Sequence, residues 1–435
     1  MKTKTRKPFK HQLEAASFLL KKKRAILADE MGLGKTSSAI LAMNKIKGKR
    51  LIVCPASLKL NWKKEIGLFS DDEIVLINSG KKWRKLKGNV WVIMNYDLLK
   101  SHIDQIKKSK FKVVAFDEAH YAKSINNNGY GGTKRARYFI QVANNIEHVF
   151  LLTGTPITNK TKDIFNLLKA IKHPLSNNFK KFAKRYCNPT FNGFGWSYDG
   201  SSHQHELNKK LQPYMLRRLK EEAIDLPDKV RNFIPVEIKV KEYEKKVNEY
   251  MSKRASLETK HEHLVYLNAM RHILAKEKVH HTIKLARNLL DQERPVVIFT
   301  NYNAVVEKIK EAFPEAVTVT GSDSEKERQQ AVDNFQHGKS DIIICNIIAG
   351  GVGITLTRAK NELVNDFEWT PTSHLQAEDR IHRLGQKESV VIDYIYSENT
   401  VDEKMATLLE EKLININKII DDKDEGFIEE VMKWF

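Results

Sequence analysis

The stretch Ala28-Asp29-Glu30-Met31-Gly32-Leu33-Gly34-Lys35-Thr36 decides how the rest of the chain is read. It follows a short apolar run at 25–28 and opens onto a helical pattern, giving the order strand, turn, helix. A Gly-Leu-Gly turn lets backbone N–H groups close around phosphate oxygens, and the helix N-terminus behind it adds a favourable dipole. Lys35 is then placed to reach the β- and γ-phosphates of a nucleotide, and the Thr36 hydroxyl to ligate Mg2+. The strict GxxxxGK[ST] pattern would put glycine at 29, where Asp29 stands. The strand–turn–helix context, rather than the GKT triplet, carries the expectation of a nucleotide site.

Working outward, short apolar runs alternate with helical patterns twice over. The first series lies at 25–28, 51–54, 74–77, 90–94, 113–116 and 149–152, the second at 296–299, 316–319, 342–345, 363–364 and 390–395. Continuous β-branched runs suit strands buried on both faces of a parallel sheet. Their alternation with helices predicts doubly wound α/β layers. Two series predict two lobes, and Leu226-Pro227 marks the boundary because proline disfavours helix in the residue before it. The expected domains are therefore 1–226 and 227–435. Between about 158 and 293 the strand signal disappears. Residues 162–171, 206–219 and 239–290 read as helices rich in Lys and Glu, 188–202 as a Gly/Asn/Ser/aromatic loop, and 401–435 as an amphipathic helical tail.

Two further elements carry chemistry. Val113-Val114-Ala115-Phe116-Asp117-Glu118-Ala119-His120 is an apolar strand ending in two carboxylates, at the edge where open α/β sheets bind ligands. Beside a phosphate turn, Asp117 reads as a second Mg2+ holder and Glu118 as the group that orients and deprotonates the attacking water. Gln376, Arg380 and Arg383 lie at i, i+4 and i+7, on one helix face. Forked guanidinium donors match phosphate geometry, so this pair reads as an arginine-finger arrangement that couples hydrolysis to lobe closure.

The 435 residues exceed the usual ceiling for one hydrophobic core. The formal charge of +20, from 74 Lys+Arg against 54 Asp+Glu, points to an anionic partner, with nucleic acid the commonest and a merely soluble basic surface the alternative. Cys54, Cys187 and Cys345 are far apart and unpaired in pattern, which implies a reducing interior without a disulfide framework. The basic start at 1–7 is followed by no apolar core, so no signal peptide is expected, and no run is long enough to span a bilayer. The segment 81–87, Lys-Lys-Trp-Arg-Lys-Leu-Lys, reads as a solvated helix face over apolar surface, with stacking on bases as the alternative. His261, His263, His280 and His281 sit in a charged helical region without cysteine partners and are not read as a zinc site.

In this order the motifs resemble the SWI/SNF-type ATPases of helicase superfamily 2. Pro8-Phe9-Lys10-His11-Gln12 looks like the family's adenine-reading Q motif, and 29–36 matches DEMGLGKT. Residues 51–58 look like motif Ia, 94–99 Ib, 117–120 the DEAH box and Leu152-Thr153-Gly154-Thr155-Pro156 motif III. Residues 297–302 look like motif IV, 349–356 (holding Gly353) motif V and 376–386 motif VI. Arg185-Tyr186-Cys187, Phe194-Gly195-Trp196, Gly200-Ser201-Ser202 and Leu216-Arg217-Arg218-Leu219-Lys220 resemble the annealing-helicase (HARP-type) branch, although no HARP repeat, recruitment segment or nuclease module is present in these residues.

The resemblance implies two RecA-like P-loop lobes, with helical insertions between motifs III and IV forming protrusions at 162–211 and 239–290. It implies a tail from Val401 that braces the first lobe. It implies ATP and Mg2+, with Gln12, Gly32, Gly34, Lys35, Thr36 and Gly353 at the nucleotide. It also implies backbone contacts to duplex or branched DNA from Ser57, Asn61, Trp62, Asn159, Thr300, Asn301 and Thr355; small hydroxyl and amide groups suit such contacts. The expected protein is an intracellular, cytoplasmic, monomeric, DNA-stimulated ATPase of bacterial or phage origin that translocates on and remodels or anneals DNA without sequence specificity, with no membrane partner. The competing readings are a strand-separating helicase and a non-catalytic nucleic-acid-binding scaffold, the latter opposed by the intact Lys35, Asp117, Glu118, Arg380 and Arg383.

Overall fold

The computed structural model describes the chain except residues 1–6, 82, 127–128, 130–131, 155–159, 192, 194, 239–240, 258, 348–352, 415–430 and 433–435. Asn159, the end of motif III, the start of motif V, Phe194 and most of the tail after residue 414 thus lie outside the described residues. The chain divides into two compact units, Met1–Asp225 and Leu226–Phe435.

The first unit is built on β1 (Arg24–Leu27), β2 (Lys49–Cys54), β3 (Glu73–Leu76), β4 (Val90–Asn95), β5 (Val113–Asp117) and β6 (His148–Leu152). The aromatic loop adds a two-stranded antiparallel hairpin of β7 (Thr190–Phe191) and β8 (Trp196–Ser197), and β9 (Met215–Leu216) completes the main sheet. Its order is β3-β4-β2-β5-β6-β1-β9, parallel throughout. The central strands are buried along their length, as runs like Leu51-Ile52-Val53-Cys54 require of a sheet covered on both faces. Because β6 separates β5 from β1, the carboxyl ends of these strands are neighbours, and every loop that leaves them opens at one edge.

The second unit carries β10 (Lys229–Val236), β11 (Val296–Thr300), β12 (Val317–Val319), β13 (Ile342–Asn346), β14 (Asn361–Val364) and β15 (Val390–Ser397), in the parallel order β10-β15-β14-β11-β13-β12. Two parallel-sheet α/β units are what the alternating runs predict.

The span read as strand-free contains β7, β8, β9 and β10. β9 is only two residues long, below any periodicity. β10 reads Lys-Val-Arg-Asn-Phe-Ile-Pro-Val and is the sheet's edge strand. Charged residues and a proline are edge-strand composition, invisible to a search for continuous apolar runs. The helix expected over 206–219 is Gln204–Leu211, ended before β9. The long helix expected over 239–290 is two, Lys241–Lys253 and Lys260–Leu290. Thr259 accepts from the Glu262 N–H while Glu262 reaches back to Thr259, a capping box that starts the second one.

These insertions are packed on the cores of their own units. Phe165, Leu168, Phe179, Phe182, Tyr186 and Leu211 belong to the first core; Leu267, Met270 and Leu274 belong to the second. The tail helix Val401–Ile414 likewise buries Val401, Met405, Leu409 and Leu413 in the second unit's core. It is pinned there by the fully buried Lys278, whose ammonium contacts Asp402 and donates to Ile395 O at 2.8 Å. The described part of the tail thus packs on the second unit's own core. The described residues of the basic segment at 81–87 are not helical: Trp83 lies against the His102 ring (4.8 Å) and Gln105 Nε2 donates to its carbonyl.

Glu362, in β14, is fully buried, and among the described residues neither carboxyl oxygen has a hydrogen-bond partner. Burial, and then the nearby Glu378, push its pKa well above the carboxylate range, with Lys229 and Arg231 countering. A folded-state pKa above the unfolded one means stability that is complete below about pH 4.3 and lost as pH rises towards the folded pKa, by about 1.4 kcal/mol per pH unit. Urea midpoints measured from pH 4 upward are expected to fall with pH in the parent by a component absent from Glu362→Gln. Parallel curves for the two proteins would refute this assignment.

Candidate nucleotide site

The phosphate turn begins where β1 ends. Gly32 (φ +84°) and Gly34 (φ +76°) both occupy the left-handed region, which a side chain would strain. Gly34 is the N-cap of helix Lys35–Asn44 and supplies no side chain to accept its first N–H groups. A helix begun this way presents open donors and a positive dipole end. Lys35 folds back over the turn, its Nζ donating to Asp29 O (2.8 Å) and Glu30 O (3.3 Å). Thr36 follows in the first helical turn, half-buried. Gly154, after β6, closes the other side: a Cβ there would come within 2.9 Å of the Met31 side chain and 3.7 Å of Lys35 Nζ. The turn is a cradle that only glycine leaves open.

Asp29 stands where the strict motif has glycine because it has a structural task. It is 1% exposed, and the Arg218 guanidinium grips it through Nε–Oδ1 (3.1 Å) and Nη2–Oδ2 (2.5 Å). Arg218 also donates to His11 O (2.9 Å) and Glu14 Oε2 (3.3 Å). The backbone completes the lacing: Ala28 N donates to Leu216 O, Glu30 N to Arg218 O, and Lys220 N to Glu30 Oε2. His11 Nε2 meets Leu33 O at 2.9 Å. The Leu-Arg-Arg-Leu-Lys segment carries no pattern that assigns Arg218 a role; the acid at position 29 is the available signal, since a buried acid requires a cation. Gln12 is buried, and its Oε1 accepts the Phe9 N–H at 3.1 Å. Gln12, expected at an adenine, uses that oxygen to hold the first turn of its own helix.

The acid pair closes β5. Asp117 accepts from Trp62 Nε1 (2.7 Å) and from the Glu118 N–H (3.0 Å), while its carbonyl takes the Tyr96 hydroxyl (2.8 Å). Burial, then the charge of Glu118, raise its carboxyl to about 6, with the Trp62 bond and Lys35 opposing. Glu118 has φ 49° and ψ 52°, a left-handed conformation that costs a non-glycine residue on the order of 1 kcal/mol. Its carboxylate stands 3.2 Å from His120 Nδ1, itself 3.4 Å from the Thr153 hydroxyl. Phosphate turn, acid pair and motif III thus form one connected edge on the first unit.

Trp62, expected at DNA, is fully buried on the inward face of helix Lys59–Ile66, where its N–H serves Asp117. Ser57 and Asn61 are partly exposed nearby. In the second unit Thr300 is fully buried and donates to Asp366 Oδ2 (2.6 Å), while the Asn301 N–H donates to Asp366 Oδ1 (2.8 Å). The Thr300 hydroxyl is therefore an internal strut rather than a phosphate contact. Thr355 is half-buried.

Helix Pro371–Ile381 ends before Arg383, so Gln376, Arg380 and Arg383 do not share one helix face as expected. The two guanidinium groups still converge: Arg380 Nη1 and Arg383 Nη1 lie 3.4 and 3.0 Å from Ile354 O, next to Gly353. Arg380 Nε also donates to Gln376 O at 2.8 Å. The helix is anchored by Glu378, fully buried and bound by Arg231 (2.6 and 2.7 Å), Lys229 (2.7 Å) and the Tyr394 hydroxyl (2.9 Å). Despite the penalty of burial, these cations hold its carboxyl well below the usual range.

A parallel sheet with a glycine turn at the head of a helix and an acid pair closing a neighbouring strand defines a P-loop α/β protein, here followed in the chain by a second parallel-sheet unit. Residues 11–290 match the SNF2-related domain and residues 277–385 the helicase conserved C-terminal domain. The chain belongs to the SNF2-related family. It is 30% identical over 425 residues to the SWI/SNF-related matrix-associated actin-dependent regulator of chromatin subfamily A-like protein 1 homolog of Caenorhabditis elegans, covering 93% of this chain and 61% of that protein. It is 32% identical over 432 residues to the human DNA annealing helicase and endonuclease ZRANB3, covering 92% and 39%. The Sulfolobus solfataricus SWI2/SNF2 ATPase core in complex with dsDNA aligns over 98% of this chain and 94% of its own at 24% identity and a TM-score of 0.47. The chain spans less than two-thirds of the length of these two curated relatives. Among the described residues no helix is long and apolar enough to cross a membrane.

Breaking the Asp29–Arg218 pair is expected to be costly because it strands a buried carboxylate. Arg218→Met should lower the unfolding free energy by about 3 kcal/mol, whereas Asp29→Gly combined with Arg218→Met should recover most of it. Denaturant titrations of the two singles and the double give the coupling directly, and additive effects would exclude it.

Proposed function

We propose that the chain is a DNA-stimulated ATPase that translocates along duplex DNA through backbone contacts and remodels or anneals strands. The observation that carries this reading is the connected edge of Lys35, Gly154, Asp117 and Glu118 on one sheet. The names of the relatives and the charge of +20 support the nucleic-acid partner. In this reading Lys35 leaves its carbonyl partners for the terminal phosphates of ATP. The backbone N–H groups at 34–36 take the same phosphates, and Glu118, held towards His120, orients water and accepts its proton. Thr36 and Asp117 would hold Mg2+, which supplies neutralising charge at the phosphates when bound. The buried, acid-raised Asp117 fits such a role, since a cation would relieve its proximity to Glu118. Arg380 and Arg383, already gathered at one carbonyl, are the cations assigned to the charge that develops during hydrolysis. Cys54, Cys187 and Cys345 are buried and form no disulfide among the described residues, which suits a reducing compartment.

Steady-state ATP turnover without DNA and with linear duplex, forked and single-stranded DNA tests the proposal. Duplex-containing DNA is expected to stimulate turnover and Lys35→Ala to lower it by about a hundred-fold or more. Turnover indifferent to every DNA would overturn the reading.

A further inference from the structure

The hairpin β7–β8 is not used by the nucleotide edge. Phe191 and Trp196 are directly opposed across it, so their side chains share one face. Their rings meet edge to face at 5.6 Å, yet Phe191 is 61% and Trp196 54% exposed. Two large aromatics held in water at a strand pair too short to need them do not contribute to a core. A Cβ added at Gly193 or Gly195, in the connection between the strands, would meet nothing within 4 Å.

The base of the hairpin, by contrast, is fastened. It leaves the C-terminal end of helix Phe179–Tyr186 and returns to it: Ser202 N donates to Tyr186 O (2.9 Å), and the Ser202 hydroxyl donates to Arg185 O (2.8 Å). Gly200 approaches so closely that a Cβ would lie 2.9 Å from the carbonyls of Asn188 and Cys187. Tyr198 meets the buried Phe179 ring edge to face, and Asp199 bridges Lys160 (2.8 Å) and Lys162 (2.6 Å). The helix that carries it buries Phe179, Phe182, Ala183 and Tyr186. Its outward residues are Lys180, Lys181, Lys184 and Arg185, all exposed and all basic. Among the described residues, Arg185 is balanced by Glu206 at 2.5 Å and the three lysines form no ion pair.

We infer that Phe191 and Trp196 form a platform for unpaired nucleobases, with the basic face of helix Phe179–Tyr186 tracking the phosphates of the same strand. Aromatic faces interleaved with cations are how proteins hold single strands without reading sequence, because every base has a π-face to stack. The charge of the adjoining helix selects a polyanion over an apolar protein surface, and the rigid base fixes the rings before the strand arrives. This inference deepens the proposed function: it gives a motor on duplex DNA a separate grip on the unpaired bases beside it.

The test is equilibrium binding of a fluorescein-labelled oligo-dT strand and of a labelled blunt duplex, without ATP, to the full chain and to the Phe191→Ala/Trp196→Ala variant. The variant is expected to bind oligo-dT about ten-fold more weakly, the loss of roughly one base stack, and the duplex as the parent does. Trp196→Phe, which keeps an aromatic face, should stay within about three-fold of the parent for oligo-dT. Unchanged oligo-dT binding in the double variant, or an equal loss for strand and duplex, would overturn the assignment. Duplex-stimulated ATP turnover of the parent, measured separately, reports on the motor reading alone, so either proposal can fail without the other.

Discussion

A carboxylate taken out of water costs several kcal/mol unless a cation goes with it. Asp29 is such a group, and its cation, Arg218, comes from a segment nearly two hundred residues further along the chain. Everything the phosphate turn needs follows from that pairing. It forces the segment that contains β9 against the free edge of β1, where Leu216 O and Arg218 O take N–H groups of Ala28 and Glu30. It also ties helix Lys10–Lys22 to the turn through His11 and Glu14. A strict glycine at this position would make the turn but not fasten it. The chain then runs from β9 through Pro227 into β10, so the strut that steadies the turn ends on the linker to the second unit.

The same economy recurs wherever polar groups are buried. Trp62 N–H serves Asp117, Thr300 serves Asp366, and Arg231 with Lys229 serves Glu378. In each case a charged or acidic group at the end of a strand or on a helix is fixed by a donor from a different element. The donors belong to segments expected at DNA or, for β10, read as no element at all. The exception is Glu362, which has no such donor and is left to hold its proton.

How far the sequence could be read depended on what each signal measures. Continuous apolar runs report burial on both faces, so every central strand of both sheets was legible, with ends shifted by a residue or two. Edge strands report solvent as much as burial, and β10, with Lys229, Arg231 and Pro235, leaves no such trace. Motif spacing places Lys35 after a turn and Asp117 and Glu118 at a strand end, because those positions depend on local backbone. It could not locate Arg218, whose role depends on a parallel pairing across β1 and β9. Residues carried over one by one fared unevenly for the same reason: Trp62 and Thr300 have side chains that suit a phosphate, but burial is a tertiary fact. The helix period correctly grouped Arg380 with Gln376, yet it overran the helix end at Ile381, and Arg383 reaches the same carbonyl by another path.

The left-handed Glu118 shows which of these constraints bears most directly on chemistry. A side chain at φ 49° persists only where its surroundings overdetermine it. Asp117 is held on both sides of that residue's peptide, by Tyr96 at its carbonyl and by Trp62 at its carboxylate, and Tyr121 N donates to Glu118 O at 2.9 Å. With both neighbours fixed, the Glu118 backbone has no freedom to relax, and its carboxylate is delivered to His120 rather than left to rotate in solvent. The strain is small beside the burial of β5, so the fold carries it easily. What it provides is direction: the two acids of the pair diverge from adjacent residues, one bound inward and one held at the open edge beside Thr153 and the phosphate turn. An acid pair in ordinary strand geometry would alternate across the sheet, and only the turn after Asp117 brings both carboxylates to the same end.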